Sequence, residues 1–156
     1  MHHLFFATII IMKINQLTSL CTAESCTGGA IAKKIVARSG ASAYFKGGII
    51  AYSNQAKAQI LGIDENLLKK HGAVSRQVVL AMAQGASKIF QADYAIATSG
   101  IAGPLGATAK KPVGLVWIAV LTPKKTFAKK FIFKGPRSAV IKKATDTALQ
   151  LLLKNS

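Results

Sequence analysis

Short apolar runs alternate along this chain with segments in which apolar residues recur every three or four positions, the pattern of strands interleaved with amphipathic helices. Residues 17–23 make the first apolar run, and 28–38 place Ile31 and Ile35 on one helical face. After the breaker cluster Ser39-Gly40-Ala41-Ser42, residues 47–53 read as a strand whose bulk comes from Ile49, Ile50 and Tyr52. Asn54 suits the cap of a short helix over 54–61 ended by Gly62, and Asp64 that of another over 64–70 ended by Gly72. Ser75 opens the longest helical segment, to about Phe90, with Val78, Val79, Met82, Ala86 and Ile89 turned to the core. A strand over 94–98 runs into the glycine-rich loop 99–106. Residues 115–121 and 127–133 read as paired strands around Thr122-Pro123-Lys124-Lys125, a turn with proline second. A closing helix over 138–153 buries Val140, Ile141, Ala144, Ala148, Leu149 and Leu152.

This order predicts one α/β domain over 17–156: a three-layer α/β/α sandwich around a mostly parallel mixed sheet of about five or six strands. Residues 1–16 are a separate question. The run 4–12 is apolar, but no Lys or Arg precedes it, it is too short to span a bilayer and no small-residue cleavage site follows. It is read as a buried N-terminal element, or as residues upstream of a true start at Met12. In open α/β sheets ligands bind beyond the carboxyl ends of the strands. The loops led by Ser25, Tyr52 and Ser99 should all emerge there.

Composition narrows the function classes. The net charge of +16, from 21 Lys plus Arg against 5 Asp plus Glu, raises a nucleic acid or an acidic membrane as partner. The lysines, however, fall in scattered pairs at element ends without aromatic interleaving, which disfavours both partners. Attraction of a phosphorylated substrate accounts for the sign equally well. Two cysteines and three histidines assemble no metal-ligand spacing, so no metal and no cofactor is expected. Unpaired thiols point to a reduced, cytoplasmic protein.

The segment 22–29 carries the candidate chemistry. Ser25 and Cys26 stand side by side where a strand enters a glycine-opened helix, whose unpaired N–H groups are suited to an anion or a developing oxyanion. The same residues also describe an ordinary helix cap, worth about 1 kcal/mol with no catalytic duty. Either Ser25 or Cys26 can serve as nucleophile, and serine needs a base. His71 falls in a helix C-terminal turn away from the expected pocket. Lys57, five residues after Tyr52, is the better placed candidate, provided that desolvation or neighbouring cations lower its pKa.

Five blocks carry a resemblance: Ala23-Glu24-Ser25-Cys26-Thr27-Gly28-Gly29, the run 47–57 ending in Asn54-Gln55-Ala56-Lys57, His71-Gly72-Ala73-Val74-Ser75, Ser99-Gly100-Ile101-Ala102-Gly103-Pro104 and Lys111-Pro112-Val113-Gly114. Together, from about Leu17 to the C-terminus, they resemble the CinA C-terminal domain family of competence/damage-inducible proteins, known as nicotinamide-nucleotide amidases. The resemblance implies hydrolysis of the carboxamide of nicotinamide mononucleotide (NMN) to nicotinate mononucleotide and ammonia, with Ser25 as nucleophile and Lys57 and Tyr52 moving protons. It places Cys26, Thr27, Gly28, Asn54, Ser99, Gly100 and Arg137 at the substrate, amides around 26–28 at the oxyanion, and Arg137 at the phosphate or the site wall. It also implies a homodimer or higher homo-oligomer. Pro136, Ile141, Ala107 and Lys110 depart from the family pattern. A rival reading therefore stands beside the enzyme: a catalytically decayed basic module that contacts nucleic acid or a partner protein.

Overall fold

The structure, a computed structural model, describes Ile14 and residues 16–156. The element read into residues 1–16, and the alternative start at Met12, lie outside this range apart from Ile14 and Gln16. Ile14 is buried and accepts the Leu17 N–H.

Five strands form one sheet in the order β2-β1-β3-β4-β5: β1 (Leu20–Glu24), β2 (Phe45–Ile50), β3 (Tyr94–Gly100), β4 (Leu115–Leu121) and β5 (Thr126–Ile132). Both neighbours of β1 run parallel to it, whereas β4 is antiparallel to β3 and to β5. Only β4 therefore runs against the rest. The helices are α1 (Ala30–Val36), α2 (Asn54–Gln59), α3 (Glu65–His71), α4 (Arg76–Phe90) and α5 (Arg137–Asn155), with a 3₁₀ turn at Ala41–Ala43.

Alternation along the strands sorts the core into two halves. Leu20, Ile96, Val116, Ile118 and Val120 face α1 and α5, packing with Ile31, Ile35, Val140, Ala144 and Leu152. On the opposite face Cys21, Ala23, Ala95, Ala97 and Ala119 pack against Val78, Val79, Met82 and Ala86 of α4. The sheet residues on this second face are small, which lets the long helix lie close. These are the three layers the sequence predicts.

Several boundaries differ from the sequence reading, each for a local reason. Strand β1 starts at Leu20, not at residue 17, because Leu17 closes a turn onto Ile14. Strand β2 starts at Phe45, opposite Leu20, and ends at Ile50. Strand β3 continues to Gly100, since Ser99 and Gly100 pair with Trp117 and Val116. Helix α2 is capped by Ser53, whose Oγ accepts the Ala56 N–H at 3.0 Å, so Asn54 is its first residue and not its cap. Asp64, Gly72 and Ser75 act as expected, the first and last as N-caps and Gly72 closing α3 at φ 73°.

The chain leaves β1 toward β2 on one side and later returns to β3 on the other. Loops after β1, β2, β3 and β5 thus gather at one edge of the sheet, where a crevice opens between diverging connections.

Candidate active site

Ser25 follows β1 directly, and its N–H donates to the Thr98 carbonyl of β3 at 3.0 Å. The backbone then turns through Gly28 at φ 56° and Gly29 at φ 95°, left-handed conformations that favour glycine. Ser25 is 7% exposed, at the floor of a cavity of about 230 Å³.

Lys57 reaches the same floor from α2. It is 1% exposed, and its Nζ lies 3.1 Å from Ser25 Oγ, 2.9 Å from the Ala51 carbonyl oxygen and 3.2 Å from that of Tyr52. No carboxylate pairs with it among the described residues. Burial pushes its pKa below the ordinary 10.5, against a smaller opposing effect of Cys26. Nζ donates to the Ser25 Oγ and to both carbonyl oxygens, and no counter-ion accompanies it among the described residues.

Cys26 lines the cavity beside Ser25, but burial pushes its thiol up to about 11. At neutral pH it is a thiol and a weak nucleophile. The Lys57 contact is to the serine oxygen.

The other expected residues are distributed unevenly. Ser99, with its Oγ donating to the Ala73 carbonyl at 2.7 Å, and Gly100 both line the cavity. A Cβ on Gly100 would come within 2.7 Å of the Leu115 carbonyl oxygen, so this wall requires glycine. Tyr52 sits at the mouth, 62% exposed; its main-chain carbonyl meets Lys57, while its hydroxyl accepts from Arg137 Nη2 at 3.1 Å. Arg137, the first residue of α5, also donates Nη1 to the Gly103 carbonyl at 2.8 Å and so spans the mouth.

Thr27, Gly28 and Asn54 are placed differently. Thr27 is buried beneath the turn, bonded to Glu24 and Thr98, and does not line the cavity. The Gly28 N–H is committed to the Ser25 carbonyl at 3.1 Å. Asn54 is exposed and lines a separate groove between α2 and α3, because the cap at Ser53 turns it away. His71 also lies apart; its carbonyl accepts from Lys111 Nζ at 2.9 Å.

One expectation needs correction. The start of α1 is not an open anion site, because Glu24 already accepts the N–H groups of Gly29, Ile31 and Ala32. Among the described residues, the uncommitted amides of the turn are those of Cys26 and Thr27. Sequence reasoning gave Glu24 no role of its own. The available signal was a lone acid ending an apolar strand just before Gly-Gly and a helix.

The departures from the family pattern fall outside the cavity. Ile141 is partly buried against the core, Ala107 and Lys110 are exposed in the loop before β4, and Pro136 precedes α5 without displacing Arg137 from the mouth. Among the described residues, no group of three metal-ligating side chains converges and no helix is long and apolar enough to cross a membrane.

Comparison with known proteins places this geometry in context. A family model described as the CinA C-terminal domain matches residues 6–156. The nicotinamide-nucleotide amidohydrolase PncC of Escherichia coli K12 is 50% identical over 135 residues, covering 86% of this chain and 82% of that protein. A CinA-like protein of Endomicrobium trichonymphae is 49% identical over 83% of this chain but only 30% of its own, longer length. Among solved structures, the competence/damage inducible protein CihA of Agrobacterium tumefaciens superposes with a TM-score of 0.90 at 37% identity, covering 96% of this chain and 93% of that one.

Proposed function

From the premise that this chain belongs to the CinA C-terminal domain family, we propose that it is a serine amidohydrolase acting on the carboxamide of nicotinamide mononucleotide. The observation that carries the reading is the buried contact of Lys57 Nζ with Ser25 Oγ at 3.1 Å, with two carbonyls taking the other amine positions. A relative that is half identical over most of the chain supplies the substrate.

In this reading neutral Lys57 takes the Ser25 proton as Oγ attacks the carboxamide carbon. The resulting ammonium remains bonded to the Ala51 and Tyr52 carbonyls. The amide of Cys26, a residue that lines the cavity, is the donor left for the negative oxygen of the tetrahedral intermediate. Lys57 returns the proton to the nitrogen as the C–N bond breaks, and ammonia leaves. An acyl ester on Ser25 remains. Water, deprotonated by Lys57, cleaves it to nicotinate mononucleotide and restores the serine.

The cavity suits the pyridine carboxamide, and the mouth suits the sugar phosphate. Arg137, which lines the cavity at its mouth, offers a guanidinium for the phosphate. Tyr52, whose hydroxyl is bonded to Arg137, belongs to this outer part in the present geometry and would reach the leaving nitrogen only on turning inward.

The decisive experiment is incubation of the purified chain with NMN, followed by mass spectrometry and an ammonia assay. Conversion to the acid with one equivalent of ammonia is expected. Intact NMN in the presence of a folded protein would overturn the proposal.

A further inference from the structure

Glu24, the last residue of β1, is 1% exposed. A carboxylate so far from water needs donors, and it has four. Its Oε2 accepts from the Thr27 hydroxyl at 2.6 Å and from the N–H groups of Gly29 at 3.0 Å and Ile31 at 3.1 Å. Its Oε1 accepts the Ala32 N–H at 2.8 Å. The single proton of the Thr27 hydroxyl goes to the carboxylate, so in the 2.8 Å contact between the two threonines it is Thr98 that donates.

Thr98 also fixes Ser25. Its carbonyl accepts the Ser25 N–H, while its hydroxyl is tied through Thr27 to Glu24. The turn 25–29 is therefore gathered around one buried carboxylate and anchored on β3. This has two effects at the floor of the cavity. It holds the Ser25 backbone where Oγ meets Lys57, and it uses up the Gly29, Ile31 and Ala32 amides at the start of α1.

We propose that Glu24 is a positioning residue for the reaction at Ser25, acting through the turn and touching neither substrate nor Lys57. An ordinary helix cap would add stability alone; here the residue that is capped around is the covalent neighbour of the nucleophile. The inference rests on the amidase reading for its reaction, but not for its geometry.

The test uses the full chain and its Glu24→Gln and Glu24→Ala variants. In glutamine, the amide nitrogen places a donor where the carboxylate accepted one, with little change of shape. The readouts are the rate of covalent labelling of Ser25 by a fluorophosphonate, kcat and KM for NMN, and thermal unfolding. Misplacement of a reacting group by about an ångström costs on the order of 100-fold in rate. Labelling and kcat should fall together, about tenfold in Glu24→Gln and about 100-fold in Glu24→Ala, with KM changed less than about twofold. A purely structural role would lower the unfolding temperature and leave both rates, per folded molecule, at the wild-type value; that result overturns the proposal. If the wild-type chain is labelled but leaves NMN intact, the substrate reading fails while labelling of the variants still decides the role of Glu24. A wild-type chain that neither labels nor turns over refutes both.

Discussion

Two fully buried ionisable side chains lie at the same edge of the sheet, and their surroundings are opposite in kind. Glu24 is enclosed by hydrogen-bond donors, three of them main-chain amides at the start of α1. Lys57 is met by two carbonyls and a hydroxyl, with no carboxylate partner among the described residues. The carboxylate faces donors only, whereas the buried amine faces acceptors and, among the described residues, no counter-ion. Burial alone therefore does not identify a catalytic group. The partners distinguish the two, donors around the one and acceptors around the other.

The largest expected effects break the comparison at the amine. Ser25→Ala and Lys57→Met should each lower ammonia release from NMN by about 1,000-fold or more, as for other nucleophile and base deletions. Cys26→Ala should retain activity within a few fold; survival of activity in the serine variant with loss in the cysteine variant would reverse the assignment.

Next in size is the response to pH. In the proposed mechanism only neutral Lys57 accepts the serine proton, so kcat/KM should rise with pH through a midpoint below the ordinary 10.5 of a lysine and level off above it. Stability follows the same direction. Between the lowered native pKa and 10.5, the unfolded chain binds more protons at this position, so unfolding free energy should rise with pH there. Lys57→Met should remove that contribution to the slope, as measured by urea unfolding at several pH values across the window.

Smaller effects sharpen the contrast on the carboxylate side. Thr27→Val removes a hydroxyl donor from a buried carboxylate and should cost about 2 kcal/mol in urea unfolding. Thr22 provides the control. Its Oγ1 is buried on β1 without a hydrogen-bond partner among the described residues, so Thr22→Val should change stability by less than about 0.5 kcal/mol.

Much of the fold was legible because periodicity and caps are local. Ser75, Asp64 and Gly72 mark helix ends through their own side chains or φ, and Tyr94, Leu115 and Leu121 bound strands as their apolar runs suggest. Errors arose where pairing decided the boundary, as where Phe45 joins β2 because Leu20 lies opposite it. Within the site, strand order brings Ser25, Lys57 and Ser99 together, and alternating elements announce that order. The sequence is silent on which polar groups absorb one another. Thr27 and Gly28 look available in the motif, yet a bond to Glu24 and one to the Ser25 carbonyl use them up. The bridge from Arg137 to Tyr52 joins residues 85 positions apart, a separation that no local pattern reports.

The mouth of the cavity has a practical consequence. Tyr52 and Leu105, 62% and 85% exposed, stand at the rim while Ser25 and Lys57 lie at the floor. A ligand seated with its carbonyl on Ser25 keeps its far end in solvent. A fluorescent tag or a resin linker attached at that end would leave the chemistry untouched, which makes phosphate-tethered pyridine amides natural baits for fishing this enzyme from a mixture.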